Sequence, residues 1–145
     1  MVYNWIIMKI NQISVFLEDS AKRLGELTTV LAAEGIDIQA ISLTNTADLG
    51  ILRLIVNKSD EALKILHNAG FTARASEVAA LELIDSPGNL AGVLELFDKT
   101  GVHVEHLYTA RTGMAGKAVV IFKLRDHQEG LKVLAENGLT LVENL

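Results

Sequence analysis

An internal repeat constrains the fold of this chain more than any other feature. The segment Leu17–Leu43 aligns with Leu83–Thr109 at an offset of 66 residues and without a gap. Both segments carry a glycine at the same place, Gly35 in one and Gly101 in the other. Self-similarity at a fixed offset is typical of one structural unit present twice. The 145-residue chain is therefore predicted to contain two copies of one small domain.

The first copy has the pattern strand, helix, strand, strand, helix, strand. Lys9–Leu17 alternates between apolar and polar residues, as a strand does, and Leu24, Leu27 and Leu31 then recur at helical spacing. Further strands are predicted at Ile36–Leu43, Gly50–Val56 and Thr72–Val78, and a second helix, capped by Ser59 or Asp60, extends through Ala69. Each unit is therefore expected to be a βαββαβ domain.

The second copy repeats this order. Strands are predicted at Ala80–Ile84, Val102–Thr109, Lys117–Leu124 and Leu139–Val142, with a helix carrying Leu90, Val93, Leu94 and Phe97 on one face and a helix capped by Asp126. The fold class is thus α+β: two tandem βαββαβ domains with antiparallel sheets and helices on one face. The predicted limits are an N-terminal extension at 1–8, a first domain at 9–77 and a second at 78–145.

The third strand of each copy is apolar on both faces. Leu52 and Leu54 alternate with Ile51 and Ile55, whereas a sheet covered by helices on one side only usually has polar residues on the other. Packing of one sheet against another, or a second copy of the chain, would supply the missing cover. The sequence therefore predicts a homodimer.

Composition excludes several classes of function. The net charge is −5 and the basic residues are scattered, which argues against a nucleic-acid partner. The chain has no cysteine, so disulfides and zinc–thiolate sites are excluded, and a cytoplasmic location is expected. No apolar run reaches the roughly 20 residues of a membrane span, and the N-terminus lacks the features of a signal peptide, so no membrane partner is expected.

The loop between the first strand and first helix of the second copy has the chemistry to bind an amino acid. In the segment from Asp85 to Leu90, Pro87 and Gly88 favour a turn that leads directly into a helix N-terminus. The unpaired N–H groups there suit a carboxylate, and Asp85 suits an ammonium group. The alternative is a capping turn that binds no ligand.

This loop and its surroundings resemble the ACT domain family. The resemblance rests on Asp85-Ser86-Pro87-Gly88-Asn89-Leu90, then a helix, then Gly101 before an apolar strand, and it extends over about residues 9–145. It implies two ferredoxin-like domains that bind amino acids or other small effectors at the interface between paired domains. ACT domains usually accompany an enzyme or regulator, so this chain is expected to act alone or in trans.

The resemblance also implies which residues contact a ligand. In the second copy these are Asp85, Ser86, Gly88, Asn89, Leu90 and His103, and in the first copy Asp19, Ser20, Arg23, Leu24 and Asp37. The first copy departs from the pattern because Ala21 and Lys22 replace the proline and glycine. The second-copy loop is therefore expected to dominate binding.

Other chemistries have weaker support. His103, Glu105 and His106 suggest a metal site, but His106 faces the opposite side of its strand from the other two. No nucleophile elbow is present, so a hydrolase is not expected, and neither a metal nor a cofactor is predicted. The predicted function is an amino-acid-binding regulator, with a metabolic enzyme as partner. The alternatives are a ligand-free interaction module of the same fold and a small enzyme.

Overall fold

A computed structural model describes residues 10–145, so the predicted extension 1–8 lies outside the described residues. The elements are β1 Ile10–Leu17, α1 Ser20–Ala33, β2 Ile38–Asn45, β3 Gly50–Val56, α2 Ser59–Asn68, β4 Thr72–Ile84, α3 Asn89–Thr100, β5 Val104–Ala110, β6 Lys117–Leu124, α4 His127–Glu136 and β7 Thr140–Leu141. Two compact units divide between Ser76 and Glu77, within β4.

The first unit places its helices on one face of an antiparallel sheet. In this sheet β3 lies between β1 and β2, and β1 is followed by β4. Alternate residues of β1 and β3, such as Val15 and Leu54, point to the helices and form a core with Leu27, Leu31 and Leu66, all fully or almost fully buried. The alternation in the sequence selects the buried face because successive strand residues point to opposite sides.

The second unit repeats this architecture. Strand β6 pairs antiparallel with β4 and β5, and the short β7 pairs with the other side of β4. Phe97 of α3 packs edge to face on Phe122 of β6, with 5.4 Å between ring centroids, inside a core that includes Leu81 and Leu134. The predicted α+β class, with two antiparallel βαββαβ units and helices on one face of each, is confirmed.

The strands predicted at Thr72–Val78 and Ala80–Ile84 run directly into each other as one continuous strand, β4, because Val78, Ala79 and Ala80 include neither a proline nor a glycine to interrupt it. One detail of the predicted elements is wrong. Neither Ser59 nor Asp60 caps α2: Lys58 occupies the N-cap and makes no side-chain capping hydrogen bond. The cap predicted for α4 is present, since Asp126 accepts a hydrogen bond from the backbone of Glu129 at 3.1 Å.

The apolar residues opposite the helices are buried in the single chain. Ile55 is 2 % exposed, Val119 5 % and Ile121 0 %. The face opposite the helices is therefore covered, as its apolar pattern predicts, and the homodimer stays a prediction. No helix in residues 10–145 is both long enough and apolar enough to cross a membrane.

Candidate functional site

The loop from β4 to α3 is a tight turn held by backbone hydrogen bonds. The Asp85 N–H donates to the Gly116 carbonyl at 2.9 Å, and the Ser86 N–H donates to the Ile84 carbonyl at 2.9 Å. Gly88 is the N-cap of α3 with a φ of 92°, a left-handed conformation that costs glycine little. The predicted turn is present, but the Asn89 N–H, expected to be open to a ligand, donates to the Ser86 carbonyl at 3.3 Å.

Beside this loop lies a groove of about 450 Å³, here called the α3–β7 groove. It is lined by Glu82, Leu83, Ile84, Asn89, Gly92, Val93, Leu96, Asn137, Gly138, Leu139 and Thr140. The Asn89 side-chain amide donates to the Ile84 carbonyl at 2.7 Å and so ties the two ends of the loop together at the groove. Asp85, Ser86 and Gly88 lie between these two lining residues and are exposed.

One face of α3 forms a wall of the groove. Asn89, Gly92, Val93 and Leu96 recur at the i, i+3, i+4, i+7 spacing that aligns side chains along one side of a helix. A Cβ atom added at Gly92 would have nothing within 4 Å, so the space beside this glycine is open. The predicted contact Leu90 is not among the lining residues, and its side chain is 36 % exposed.

The opposite wall follows the end of α4. The Asn137 side-chain amide donates to the Val133 carbonyl at 2.8 Å, and the Leu139 N–H donates to the Leu134 carbonyl at 3.1 Å. These bonds hold Asn137 and Leu139 against the helix end, and both residues line the groove. Of the described lining residues only Glu82 is charged, and it forms an ion pair with Lys117 at 3.6 Å.

The first unit has a groove at the equivalent place, here called the α1–β4 groove. Its volume is about 490 Å³, and it is lined by Phe16, Glu18, Asp19, Lys22, Arg23, Leu49, Gly70 and Thr72. The repeat alignment pairs Arg23 with Asn89 and Glu26 with Gly92. Arg23 forms an ion pair with Glu26, and its guanidinium lies over the Phe71 ring, 3.9 Å from the centroid. Two grooves of similar size thus have different chemistry.

The loop that enters α1 differs from its counterpart in the second unit. Asp19 has a φ of 48°, which is uncommon for a residue other than glycine, and it makes no side-chain capping bond. Ser20 donates a hydrogen bond to the Asn45 side chain at 3.1 Å. Asp19 and Ser20 also line a smaller cavity of about 240 Å³ on the side of this loop near β2 and β3. Leu24 packs against the core.

His103 and Asp37 lie far from the loops of their own units. The His103 carbonyl accepts a hydrogen bond from the Arg125 N–H, whereas Asp85 is bonded to Gly116, and these positions are nine residues apart along β6. At about 3.3 Å per residue this separation is roughly 30 Å. Asp37 is bonded to Asn57, at the end of β3 opposite Gly50. A single unit therefore does not bring either residue together with its loop.

Among the residues that line the α3–β7 groove, sequence reasoning named only Asn89 as a contact; those it missed include Gly92 and the wall formed by Asn137 and Leu139. A glycine inside a helical segment is a recognisable signal, because it weakens the helix relative to alanine and needs another reason to be there. The wall comes from a distant part of the chain, so no local pattern predicts it. Within residues 10–145, no three histidine, aspartate or glutamate side chains are grouped to hold a metal ion.

Comparison with known proteins connects this geometry to a family. A solved protein from Bacteroides thetaiotaomicron is 34 % identical, with a TM-score of 0.87 over 93 % of this chain and 92 % of that one. The regulatory subunits of aspartate kinase from Thermus thermophilus and Thermus flavus share the fold, with TM-scores of 0.66 and 0.58.

These two subunits are 17 % and 16 % identical to this chain. The matches cover 90 % and 89 % of this chain, and 94 % and 92 % of the subunits. No curated protein matches the sequence. The family model described as an ACT domain pair matches residues 8–145, and the chain therefore belongs to the ACT domain pair family.

Proposed function

We propose that this chain is a cytoplasmic regulatory protein that binds a free amino acid in the α3–β7 groove. The observation that carries the proposal is the groove itself. Its volume of about 450 Å³ lies within the range typical of small-molecule sites, roughly 300–1,000 Å³. It combines apolar walls with a few polar groups, from Asn89, Asn137 and Thr140, as such sites usually do.

The groups of an amino acid have partners at the mouth of the groove. The Asn89 and Asn137 side chains donate to the Ile84 and Val133 carbonyls through their amide N–H groups, so the two amide oxygens can accept from an ammonium group. Asp85 follows the lining residue Ile84 directly and adds a negative charge nearby. The first-turn N–H groups of α3 after Asn89, beginning with Leu90, suit the carboxylate.

The other predicted ligand contacts fall into groups according to where they lie in the structure. Ser86 and Gly88 belong to the same loop as Asp85 and stay in the proposal. His103 and Asp37 enter it only as contacts from a paired domain, because each lies at the far end of its own unit. Asp19, Ser20, Arg23 and Leu24 are proposed as the weaker counterpart in the first unit.

A role in trans is supported by the fold. In the two Thermus species, the solved chains of similar architecture are regulatory subunits of aspartate kinase. We propose that this chain likewise reports the amino-acid level to a metabolic enzyme on another polypeptide. A ligand-free interaction module would use the same fold, but it would have no need of a groove with polar groups at one end and apolar walls.

We also retain the homodimer as a proposal, on different residues from those first expected. Ile41 and Leu43 on β2 are 48 % and 42 % exposed, and Leu107 on β5 is 41 % exposed. Each strand lies at the edge of its sheet, where unpaired backbone groups favour strand addition. Light scattering at micromolar concentration should give twice the monomer mass of 15.7 kDa, and a monomer there would contradict the proposal.

A thermal-shift screen with the twenty amino acids tests the function. Binding to the native state at 100 times Kd stabilises it by about 2.7 kcal/mol, which raises Tm by roughly 5–10 °C in a chain of this size. At least one amino acid should produce such a shift. If none does at millimolar concentration, the ligand-free interaction module is the better account.

A further inference from the structure

The two grooves of the repeat place different demands on a ligand's side chain. Four of the described residues lining the α1–β4 groove are charged: Glu18, Asp19, Lys22 and Arg23. The α3–β7 groove has a similar volume, but only Glu82 is charged among its described lining residues. The charged groove of the first unit therefore serves as the comparison against which the polarity of the α3–β7 groove is judged.

The interior of the α3–β7 groove is apolar. Leu83 and Leu139 are partly buried and pack against the core of the second unit, and Val93 is 3 % exposed. Leu96 lies one helical turn beyond Val93 on the same face of α3. A ligand side chain between these residues would lose its contact with water on several sides and gain no charged partner there.

The charge of Glu82 does not alter this conclusion. Its carboxylate is ion-paired with Lys117 across the β4–β6 pair at 3.6 Å, and both side chains are partly exposed. Glu82 pairs across the strands with Val119, whose side chain lies on the face of the sheet opposite the helices. The Glu82 carboxylate therefore points away from α3 and offers no charged partner to a ligand side chain there.

The wall of the groove formed by α3 changes from polar to apolar along the helix. Asn89 follows the loop at the start of α3, and its side chain is fixed to the carbonyl of Ile84. Val93 and Leu96 follow it along the same helical face. An amino acid matches this order when its α-ammonium and α-carboxylate groups are at the loop and its side chain extends along the helix.

We infer that the α3–β7 groove selects amino acids with uncharged, apolar side chains, and that Gly92 leaves the space that this side chain occupies. The inference rests on the proposed function, because it specifies the ligand class of the same groove. Gly92 is on the lining face of α3, and an added Cβ would meet nothing within 4 Å. In the first unit Glu26 stands at the equivalent helical position, and its carboxylate forms an ion pair with Arg23.

Calorimetry with amino acids of matched shape tests the selectivity. Methionine and lysine both have unbranched side chains, and leucine and aspartate are both branched at Cγ. Each apolar member should bind at least about a hundredfold more tightly than its charged partner, because burying an unpaired charge is costly. Tighter or equal binding of lysine or aspartate would overturn the inference and leave the proposed function intact. Binding of no amino acid would overturn both.

Substitution of Gly92 tests the location. Gly92→Leu should weaken binding of the preferred amino acid by at least about a hundredfold, because the new side chain fills the space of the ligand. Gly25→Leu is the matched control, since Gly25 is also inside a helix and also has nothing within 4 Å of an added Cβ. It should leave affinity unchanged.

Gly92→Ala gives a second readout that does not depend on a large side chain. It should raise Tm, because alanine favours a helix more than glycine does, and it should weaken binding by roughly threefold to tenfold. Circular dichroism confirms folding of each variant. Unchanged affinity in both Gly92 variants, with the fold intact, would place the ligand elsewhere and overturn the inference.

Discussion

The α3–β7 groove and the α1–β4 groove occupy equivalent places in two copies of one unit, yet they present opposite chemistry. Both lie beside the loop that enters the first helix of their unit, and their volumes are similar, about 450 and 490 Å³. Asn89 in one corresponds to Arg23 in the other, and Gly92 corresponds to Glu26, which does not line the first groove but is ion-paired with Arg23. The repeated backbone therefore sets the position of a groove, and a few side chains on its walls set what it can bind.

The cores of the two units also differ in the sizes of the residues at equivalent positions. Gly130 of α4 corresponds to Ala62 of α2, and both are buried. A Cβ at Gly130 would lie 2.1 Å from the Cδ1 atom of Leu124, the last residue of β6, whereas β3 ends in the smaller Val56. Each unit thus combines one larger and one smaller residue where its second helix meets its third strand.

Introducing the charged pair of the first unit into the α3–β7 groove should cause the largest loss of ligand affinity. The double variant Asn89→Arg with Gly92→Glu gives the α3–β7 groove the pair found in the first unit, and it should weaken binding of an apolar amino acid by more than about a hundredfold. Calorimetry measures the loss. Unchanged affinity would contradict the distinction between the two grooves.

The control for that experiment puts the same charges on another face of α3. Ala91 is exposed, Leu94 is 38 % exposed, and neither is among the residues lining the groove. The variant Ala91→Arg with Leu94→Glu has the same spacing and should retain most of the affinity, because the new side chains extend into solvent. Equal losses in both double variants would point to a general effect on the helix.

The two loop carboxylates should differ in importance. Asp85→Ala removes the proposed charge-assisted contact with the ammonium group, which is worth about 1.5–3 kcal/mol, or roughly tenfold to over a hundredfold in affinity. Asp19→Ala should have a much smaller effect on the same ligand. Calorimetry of both variants with the preferred amino acid tests this, and equal effects would argue against the predicted dominance of the second loop.

The exchange of larger and smaller residues between the two cores should affect the free energy of unfolding. Gly130→Ala should destabilise the chain by about 1–3 kcal/mol, because Leu124 is fully buried and has no room to move away. The further change Leu124→Val should recover part of that loss by giving the second unit the residues of the first. Denaturant unfolding measures both, and full additivity of the two changes would show that they do not share one space.

The sequence predicts most of the fold because the repeat contains the residue pattern of each element twice. Where the evidence is local, as in the alternation of β1 or the Asp126 cap of α4, the prediction agrees with the structure. It is wrong where a capping residue stands one position too late, as at Ser59. The burial of Ile121 depends on tertiary packing, which periodicity does not report.

The candidate site is less predictable because it is assembled from distant segments. The turn at Gly88 follows from proline and glycine chemistry, and Asn89 does line the groove. The wall at Asn137 and Leu139 approaches α3 only through the pairing of β7 with β4. The family resemblance implies that His103 contacts the same ligand as Asp85. Within one unit, however, the two residues lie at opposite ends of β6.

Mapping of backbone amide shifts by NMR during titration with the preferred apolar amino acid tests the central claim most directly. We expect the largest shifts at Asn89, Gly92 and Leu139, which line the α3–β7 groove. Their counterparts Arg23, Glu26 and Phe71 in the first unit should shift little. Largest shifts at those counterparts would contradict the account.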